Sequence, residues 1–421
     1  MVQPFIFKFG GASVRDAVSF QNVASILKTH WKNGLVVVVS ASGATTDYLE
    51  DIIEKAFAQQ NFDQEIAGLE DYHLGICTGL FPSSHRVFSQ VTNLFVQLKR
   101  KLVGDHKGQG KGFLYDQTIV FGELLSTRIL HEYLCQSGLF CLWQDARELI
   151  ATDSSFKMAK VDWVATMQRC RKLLIPALEK SPVITQGFMG SDWMGNTTTL
   201  GREGSDFTAA ILAVSTGAKS VSIWKDVAGI LNGDPDIFPD AIKFDYLDFE
   251  EAAEMTYFGA KVIHPKTIKP LAKQKIPLFV KSFVNPDLPG TVIGSFEDHP
   301  KIPITVIKPN QVWISFRVRD LSKVGGFHYE EMFKTAKSFN WTVNMLQSTA
   351  VTLHLVIDQS EQIPETFPTS LLATFHIQKM EGLKLVTVKN YGDDHEKTYQ
   401  DGAEAVFLTE KSPNTLQMLL K

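Results

Sequence analysis

The chain has 421 residues, 44% of them apolar and 21% charged, with a net charge of −4. That length accommodates two or three globular domains, and the charge offers no basic footprint for nucleic acid. Four cysteines (Cys77, Cys135, Cys141, Cys170) without C-x-x-C spacing suggest neither a disulfide framework nor a zinc site and fit a reducing cytoplasm. The start, MVQPFIFKFGG, lacks the layout of a signal peptide, and the longest strongly apolar run, LVVVV at 35–39, is too short to span a bilayer.

In chain order, PFIFKFGGASV predicts a strand, a glycine turn and a helix whose apolar positions run through Val14, Val18, Val23, Ile26, Leu27 and Trp31. Gly34 ends that helix, and LVVVVS predicts a strand buried on both faces, closing a β-α-β unit. Residues 46–135 read as helical, 139–143 as a strand, 157–179 as a helix and 182–186 as a strand. Then come a glycine-rich turn, a helix (206–216), a strand (220–224), a long polar loop, helices near 248–258 and 265–274, and a strand (277–281). Alternating strands and helices predict a three-layer α/β/α sandwich with a mainly parallel central sheet. Prolines, glycine and charge at 285–303 mark a linker. Beyond it, strand (311–318), helix (327–338) and strands (341–347, 350–357) predict a ferredoxin-like α+β unit, followed by a helical stretch and strands near 383–389 and 403–409. A weak repeat links 343–356 with 405–420, each reading as two strands joined by a short turn. These patterns divide the chain into domains at 1–297 and 298–421.

Several residues have the chemistry of a site. Lys8 stands near the end of a buried strand before Gly10 and Gly11, where it and the backbone N–H groups of the turn can meet a phosphate; equally, it is a snorkelling lysine beside an ordinary turn. Ser40 and Thr46 follow the second strand, at the sheet edge where open α/β folds bind ligands; equally, the stretch is a capping turn with Thr46 or Asp47 starting the next helix. Glu123, on a leucine-rich helix, is either a holder for an ammonium group or an exposed residue near Arg128. In TTTLGREGSD (197–206), Gly201 and Gly204 allow a tight turn, Arg202 offers a fork for a carboxylate, and Asp206 stands at or near the cap of the next helix. Asp226 and Asp234 follow the strand SVSIW and suit either a nucleotide with its magnesium or Asx turns. Lys261 and His264 in FGAKVIHP read by themselves as a surface lysine and a turn histidine.

Six motifs, FKFGGASV, FGELLSTRIL, QGFMGSD with TTTLGREGSDFTAAILA, IWKDVAGI, AAEMTYFGAKVIHP and PLFVKSF, together resemble the aspartate kinases across roughly residues 5–295, in the family's order. The resemblance implies the amino-acid-kinase fold and ATP- and Mg²⁺-dependent phosphorylation of the β-carboxylate of L-aspartate, the opening step toward lysine, threonine and methionine. It implies that Lys8 stabilises the transferring phosphoryl group and that Asp206 organises the active-site lysines. It assigns Arg202 and Glu123 to the substrate's α-carboxylate and amino group, and Ser40, Thr46 and Ser205 to the substrate side. Gly10, Gly11, Lys225, Asp226, Leu231, Asp236 and Lys261 fall to the nucleotide side; no protein metal ligand is assigned. The chain departs from the family in GREGSDF, where GRGGSDY is usual, and at Lys225, Leu231 and Asp236. The C-terminal part resembles paired ACT units, implying a homodimer and a feedback amino acid. The second unit is expected to be shortened, with little room for its helix, and Asn344 and Ala350 replace acidic residues of the effector site. Same-fold alternatives are kinases for glutamate or acetylglutamate; a catalytically silent amino-acid sensor is the alternative from another class.

Overall fold

The structure is a computed structural model and describes residues 3–104, 108, 110–260, 263–296, 301–359, 363–364 and 366–421. The chain forms two compact units: Met1–Ile230, Lys243–Ala253 and Val262–His299 make the first, and Leu231–Ile242, Glu254–Lys261 and Pro300–Lys421 the second.

The strands of the first unit are β1 (Phe5–Phe9), β2 (Leu35–Val39), β3 (Leu142–Gln144), β4 (Val183–Gln186), β5 (Met189–Ser191), β6 (Thr197–Thr199), β7 (Ser220–Lys225), β8 (Tyr246–Asp248), β9 (Leu278–Ser282) and β10 (Thr291–Gly294). Its helices begin with α1 (Ala17–Thr29), α2 (Thr45–Phe57), α3 (Asp63–Leu80), α4 (Val87–Val103), α5 (Gly110–Ile119) and α6 (Phe121–Gln136). They continue with α7 (Ala146–Leu149), α8 (Trp163–Arg169), α9 (Ile175–Lys180) and α10 (Gly204–Thr216); α11 (Phe249–Phe258) and α12 (Pro265–Gln274) follow. Eight strands form one sheet in the order β3-β4-β2-β1-β7-β9-β10-β8, parallel except where β10 meets β9. All five residues of β2 are buried, as expected of a strand covered on both faces. In β1, Phe7 and Phe9 pack against Trp224 of β7, with ring centroids 5.5 and 5.7 Å apart. Lys8 lies between them in sequence and points to the opposite face. Phe9 pairs with Val39 and Trp224, and Val39 with Gln186. The carboxyl ends of four neighbouring strands are thus level, and their loops leave from one edge.

The structure differs from three expectations and adds one element. The strand expected at 139–143 is β3, Leu142–Gln144. The helix expected over 157–179 is α8, a π-helical turn at Cys170–Leu174 and α9; Pro176 lacks the N–H that would continue the regular ladder. The added element is the hairpin of β5 and β6, whose three-residue strands are too short to display a period in the sequence. The linker expected at 285–303 contains β10, which pairs with both β9 and β8.

The second unit contains β11 (Ile304–Val318), α13 (Gly326–Ser338), β12 (Val343–Ser348), β13 (Thr352–Asp358), α14 (Thr369–Thr374), β14 (Phe375–Lys389), α15 (Asp393–Asp401), β15 (Val406–Lys411) and β16 (Thr415–Leu420). Its six-stranded antiparallel sheet has the order β12-β13-β11-β14-β16-β15. Two β-α-β-β units meet along β11 and β14, paired from Ile304–Lys389 to Val318–Phe375. The second unit is not deprived of its helix: α15 has nine residues. Its sequence, DDHEKTYQD, has almost no apolar stripe, so periodicity could not reveal it. The two helices do share a start. The N–H groups of Gly325 and Gly392 each donate to Nδ1 of the histidine three residues on, His328 at 3.1 Å and His395 at 3.0 Å.

Candidate active site

The level edge of the parallel sheet carries a cluster of buried charge. Lys8, one residue before the end of β1, is 8% exposed, and an ammonium so buried needs a counter-charge. Asp206 supplies it, with Lys8 Nζ 2.5 Å from Oδ1. Lys225, the last residue of β7, brings its Nζ to 3.9 Å from Oδ2 of the same carboxylate. Asp206 is 3% exposed, in the first turn of α10, and does not cap the helix. Its capping role is therefore overturned: the carboxylate spans two cations from different strands. The three groups together carry one net positive charge.

The turn after β1 lies against this cluster. A Cβ on Gly10 would stand 3.5 Å from Lys8 Nζ, and one on Gly11 would meet the carbonyl oxygens of Ala41 and Gly43 at 2.9 Å. Gly11 thus lets the loops after β1 and β2 pack backbone to backbone. Ser40 N–H donates to Phe9 O at 3.1 Å, and Ser126 Oγ donates to Ser40 O at 2.7 Å, locking the second loop onto β1 and α6. Thr46 is half-buried in the first turn of α2. That helix starts at Thr45 after Ala44, so neither Thr46 nor Asp47 caps it.

Glu123 is buried, not exposed. Its Oε1 accepts from Ala41 N–H at 3.2 Å, and its Oε2 has no partner. Burial pushes the carboxyl up to about 8, an effect that the Ala41 N–H and the Lys8 charge only partly offset. Arg128 takes no part: its guanidinium lies 4.0 Å over the Trp143 ring. A buried carboxylate oxygen left unpaired beside a loop of backbone donors is a place prepared for a cation.

The stretch 197–206 is pinned from beneath. Asp116, fully buried, accepts from Thr199 N–H and Thr199 Oγ1 at 2.8 Å and from Lys157 N–H at 3.0 Å. Gly201 has φ +75 and a Cβ there would lie 3.2 Å from Lys157 O, so the turn needs glycine. Glu203, preceding α10, also adopts a left-handed conformation, φ +53, and its Oε2 is buried without a partner. Ser205 is buried against Gly187, where a Cβ would approach within 2.4 Å. Arg202 is exposed and has no ion-pair partner among the described residues.

The remaining expected residues are Asp226, Leu231, Asp236 and Lys261. Asp226 follows Lys225 and is exposed. Leu231 and Asp236 belong to the second unit; Asp236 N–H donates to Asp234 Oδ1 at 3.0 Å, an Asx turn. Lys261 lies outside the described residues. A cavity of about 610 Å³ near Arg128, Trp143 and Arg147 shares no lining residue with the Lys8 cluster.

Residues 3–282 match the model of the amino acid kinase family. The chain belongs to that family. This amino acid kinase is 31% identical over its whole length to the lysine-sensitive aspartokinase 3 of Escherichia coli (strain K12), spanning 93% of that protein. It is 32% identical over 85% of its length to the chloroplastic aspartokinase 1 of Arabidopsis thaliana, of which it spans 63%. Its structure matches that of E. coli aspartokinase III in complex with aspartate and ADP (R-state) with a TM-score of 0.83, at 28% identity, over 99% of this chain and 96% of that one. The match to the same enzyme with lysine and aspartate (T-state) has a TM-score of 0.81, at 28% identity, over 100% and 96%.

Sequence reasoning missed three features of this amino acid kinase. Asp116 is one; a single aspartate in FLYDQT gives no hint that it is buried. Ser42 is another, fully buried with an unpartnered Oγ in the loop after β2. The third is the direct pairing of Lys225 with Asp206, where only a nucleotide-side position was expected. The arrangement favours transfer of an anionic group. Two lysines and a glycine turn offer positive charge and N–H donors.

Proposed function

We propose that the chain transfers the γ-phosphoryl group of ATP to the β-carboxylate of L-aspartate, giving 4-phospho-L-aspartate and ADP. The observation that carries this reading is the Lys8–Asp206–Lys225 cluster at the sheet edge from which the loop contacting Glu123 also departs. A β-carboxylate with a reference pKa of about 3.9 is already ionised at neutral pH, so the nucleophile needs no general base. One of its oxygens bonds to the γ-phosphorus while the bond to the β-phosphate bridge breaks, and ADP leaves with that electron pair. The protein's task is alignment and charge.

In this reading Lys8 and Lys225 stabilise the transferring group, and Asp206 holds both amines in position while the cluster keeps one net positive charge. The turn at Gly10 and Gly11 lets phosphate oxygens approach backbone donors. Glu123 Oε2 accepts the substrate ammonium; Arg202, exposed at the loop tip, closes on its α-carboxylate; Ser40, Thr46 and Ser205 line the substrate side. Mg²⁺ fits a site of this kind as a phosphate-borne ion. Asp226, without an ion-pair partner among the described residues, is the carboxylate left to meet it, since the lysines occupy Asp206. The ion's contribution is to neutralise charge on the phosphates. Leu231, Asp236 and Lys261 complete the nucleotide side.

Purified protein with ATP, Mg²⁺, aspartate and hydroxylamine should accumulate aspartyl hydroxamate, and none above background would reject the reading. Glutamate and acetylglutamate serve as competing substrates. An acetylated amine has no charge for Glu123, so acetylglutamate should not turn over. Aspartate binding without turnover would restore the silent sensor.

We assign residues 1–297 to catalysis and 298–421 to an ACT-type region that makes a homodimer. One observation favours a dimerisation platform without an effector. Asn344 Nδ2 donates to Gln311 Oε1 at 2.7 Å and Asp358 Oδ1 at 2.9 Å, and its Oδ1 accepts from Lys308 Nζ at 2.8 Å. Its amide is thus spent internally, and added lysine should leave the activity unchanged. Among the described residues no helix is long and apolar enough to cross a membrane; we assign the enzyme to the cytoplasm.

A further inference from the structure

The last turn of α6 and the segment leading into β3 bring together three soft ligands that the proposed reaction does not use. His131 and Cys135 are one helical turn apart on α6, so their side chains share a face. Cys141 returns beneath them after a turn at Gly138, φ +81. The ligand atoms of all three lie within 4.8 Å of one another, and Cys135 Sγ is 3.7 Å from His131 Nε2. Zinc–sulfur and zinc–imidazole bonds of about 2.3 and 2.0 Å at a tetrahedral angle separate S from N by about 3.5 Å. The observed spacing is therefore that of one edge of a tetrahedral site.

A second observation points the same way. Buried His131 Nδ1 has no hydrogen-bond partner, yet it faces Glu132 Oε1 at 3.9 Å. Glu132 is buried, and its charge is kept by Arg86 Nε at 2.9 Å and Gln90 Nε2 at 3.1 Å. A metal-bound imidazole gives its other N–H to such a carboxylate, which fixes the tautomer and raises the ligand's basicity. At present His131 Nε2 lies 3.2 Å from the Cys141 carbonyl. Moving its proton from Nε2 to Nδ1 would free Nε2 for a metal and aim an N–H at Glu132 Oε1, which would have to close in from 3.9 Å to accept it.

We propose that His131, Cys135 and Cys141 form a binding site for one thiophilic divalent cation of the zinc class, with Glu132 orienting the imidazole. Binding releases the two thiol protons to solvent, forms two metal–thiolate bonds and one metal–Nε2 bond, and involves no redox change. The fourth position is left to water, because the cluster holds three protein ligands. The site ties the end of α6 to the sheet edge strand β3. The sequence concealed it because H-x₃-C-x₅-C matches no familiar zinc spacing.

The test is a cobalt titration of the full-length, reduced, metal-free protein. One equivalent of Co²⁺ should produce the near-ultraviolet thiolate charge-transfer band and the strong red ligand-field bands of a tetrahedral site. An equivalent of Zn²⁺ should bleach both. Cobalt at an all-oxygen phosphate site gives neither, so ATP-site binding cannot imitate the result. Cys135→Ser and Cys141→Ser should abolish the bands, and Glu132→Gln should weaken zinc binding by about 10- to 100-fold against a chromophoric chelator. No thiolate band in the wild-type protein, or a band that survives both cysteine substitutions, would overturn the proposal whatever the outcome of the kinase assay.

Discussion

Glu123 offers the sharpest test of the proposed site, because its protonation and its role are coupled. Burial raises its carboxyl from 4.5 to about 8, so the free enzyme holds it mostly protonated at pH 7. Receiving a substrate ammonium requires the carboxylate. Ionising it at pH 7 therefore costs on the order of 1 kcal/mol, one pH unit below the pKa, and weakens aspartate binding about tenfold. Initial rates measured against aspartate concentration should give a KM that falls about eightfold between pH 7 and pH 8.5. Glu123→Gln has the same shape but no charge to offer. Its KM for aspartate should rise about 10- to 100-fold, the scale of a hydrogen bond to a charged group, and should not vary over that pH range. Stability gives an independent reading. The unfolded chain releases this proton near 4.5 and the folded chain near 8. The unfolded state therefore gains as pH rises between those values, and stability is lost through that window by up to about 5 kcal/mol, then levels off. Urea unfolding at pH 5 and pH 8 should reveal a loss in the wild type that is largely absent from Glu123→Gln. A wild-type KM flat from pH 7 to 8.5, together with unchanged aspartate binding in Glu123→Gln, would refute the assignment.

Other expectations follow from the same contacts. Lys8→Ala should lower kcat about 100-fold or more and destabilise the protein by about 3 kcal/mol, because Asp206 keeps a buried charge with its nearest cation gone; adding Asp206→Asn should recover stability but not rate. A defect confined to KM would contradict the role of Lys8. Glu203→Gly should raise the urea midpoint by the equivalent of about 1 kcal/mol, since glycine carries no penalty at φ +53 where other residues do. A lower midpoint would mean that the Glu203 carboxylate has a stabilising partner in solution. Asp116→Ala leaves the N–H groups of Thr199 and Lys157 without their acceptor and should cost about 3 kcal/mol in thermal or chemical unfolding.

Much of this protein can be read without coordinates. The all-buried LVVVV strand, the β-α-β start and the alternation of strands with helices set the parallel sheet, because a strand covered on both faces must be apolar throughout. Gly11 and Gly201 mark places that need glycine, the first because a Cβ would meet two carbonyl oxygens and the second because its φ is +75. Lys8, Glu123 and Asp206 drew attention as charges in apolar surroundings. Tertiary structure alone decided which of several uses each charge has. Asp206 could have capped α10, and Glu123 could have faced water beside Arg128; one instead pairs with lysines from β1 and β7, and the other is buried with an oxygen to spare. Local sequence could not settle this, because the partners lie up to about 200 positions apart and meet only when strand order brings β1 between β2 and β7. The helix α15 and the short hairpin of β5 and β6 were equally hidden, one for want of an apolar stripe and the other for want of length. Periodicity reports which face of an element is buried; it carries no information about what that face is buried against.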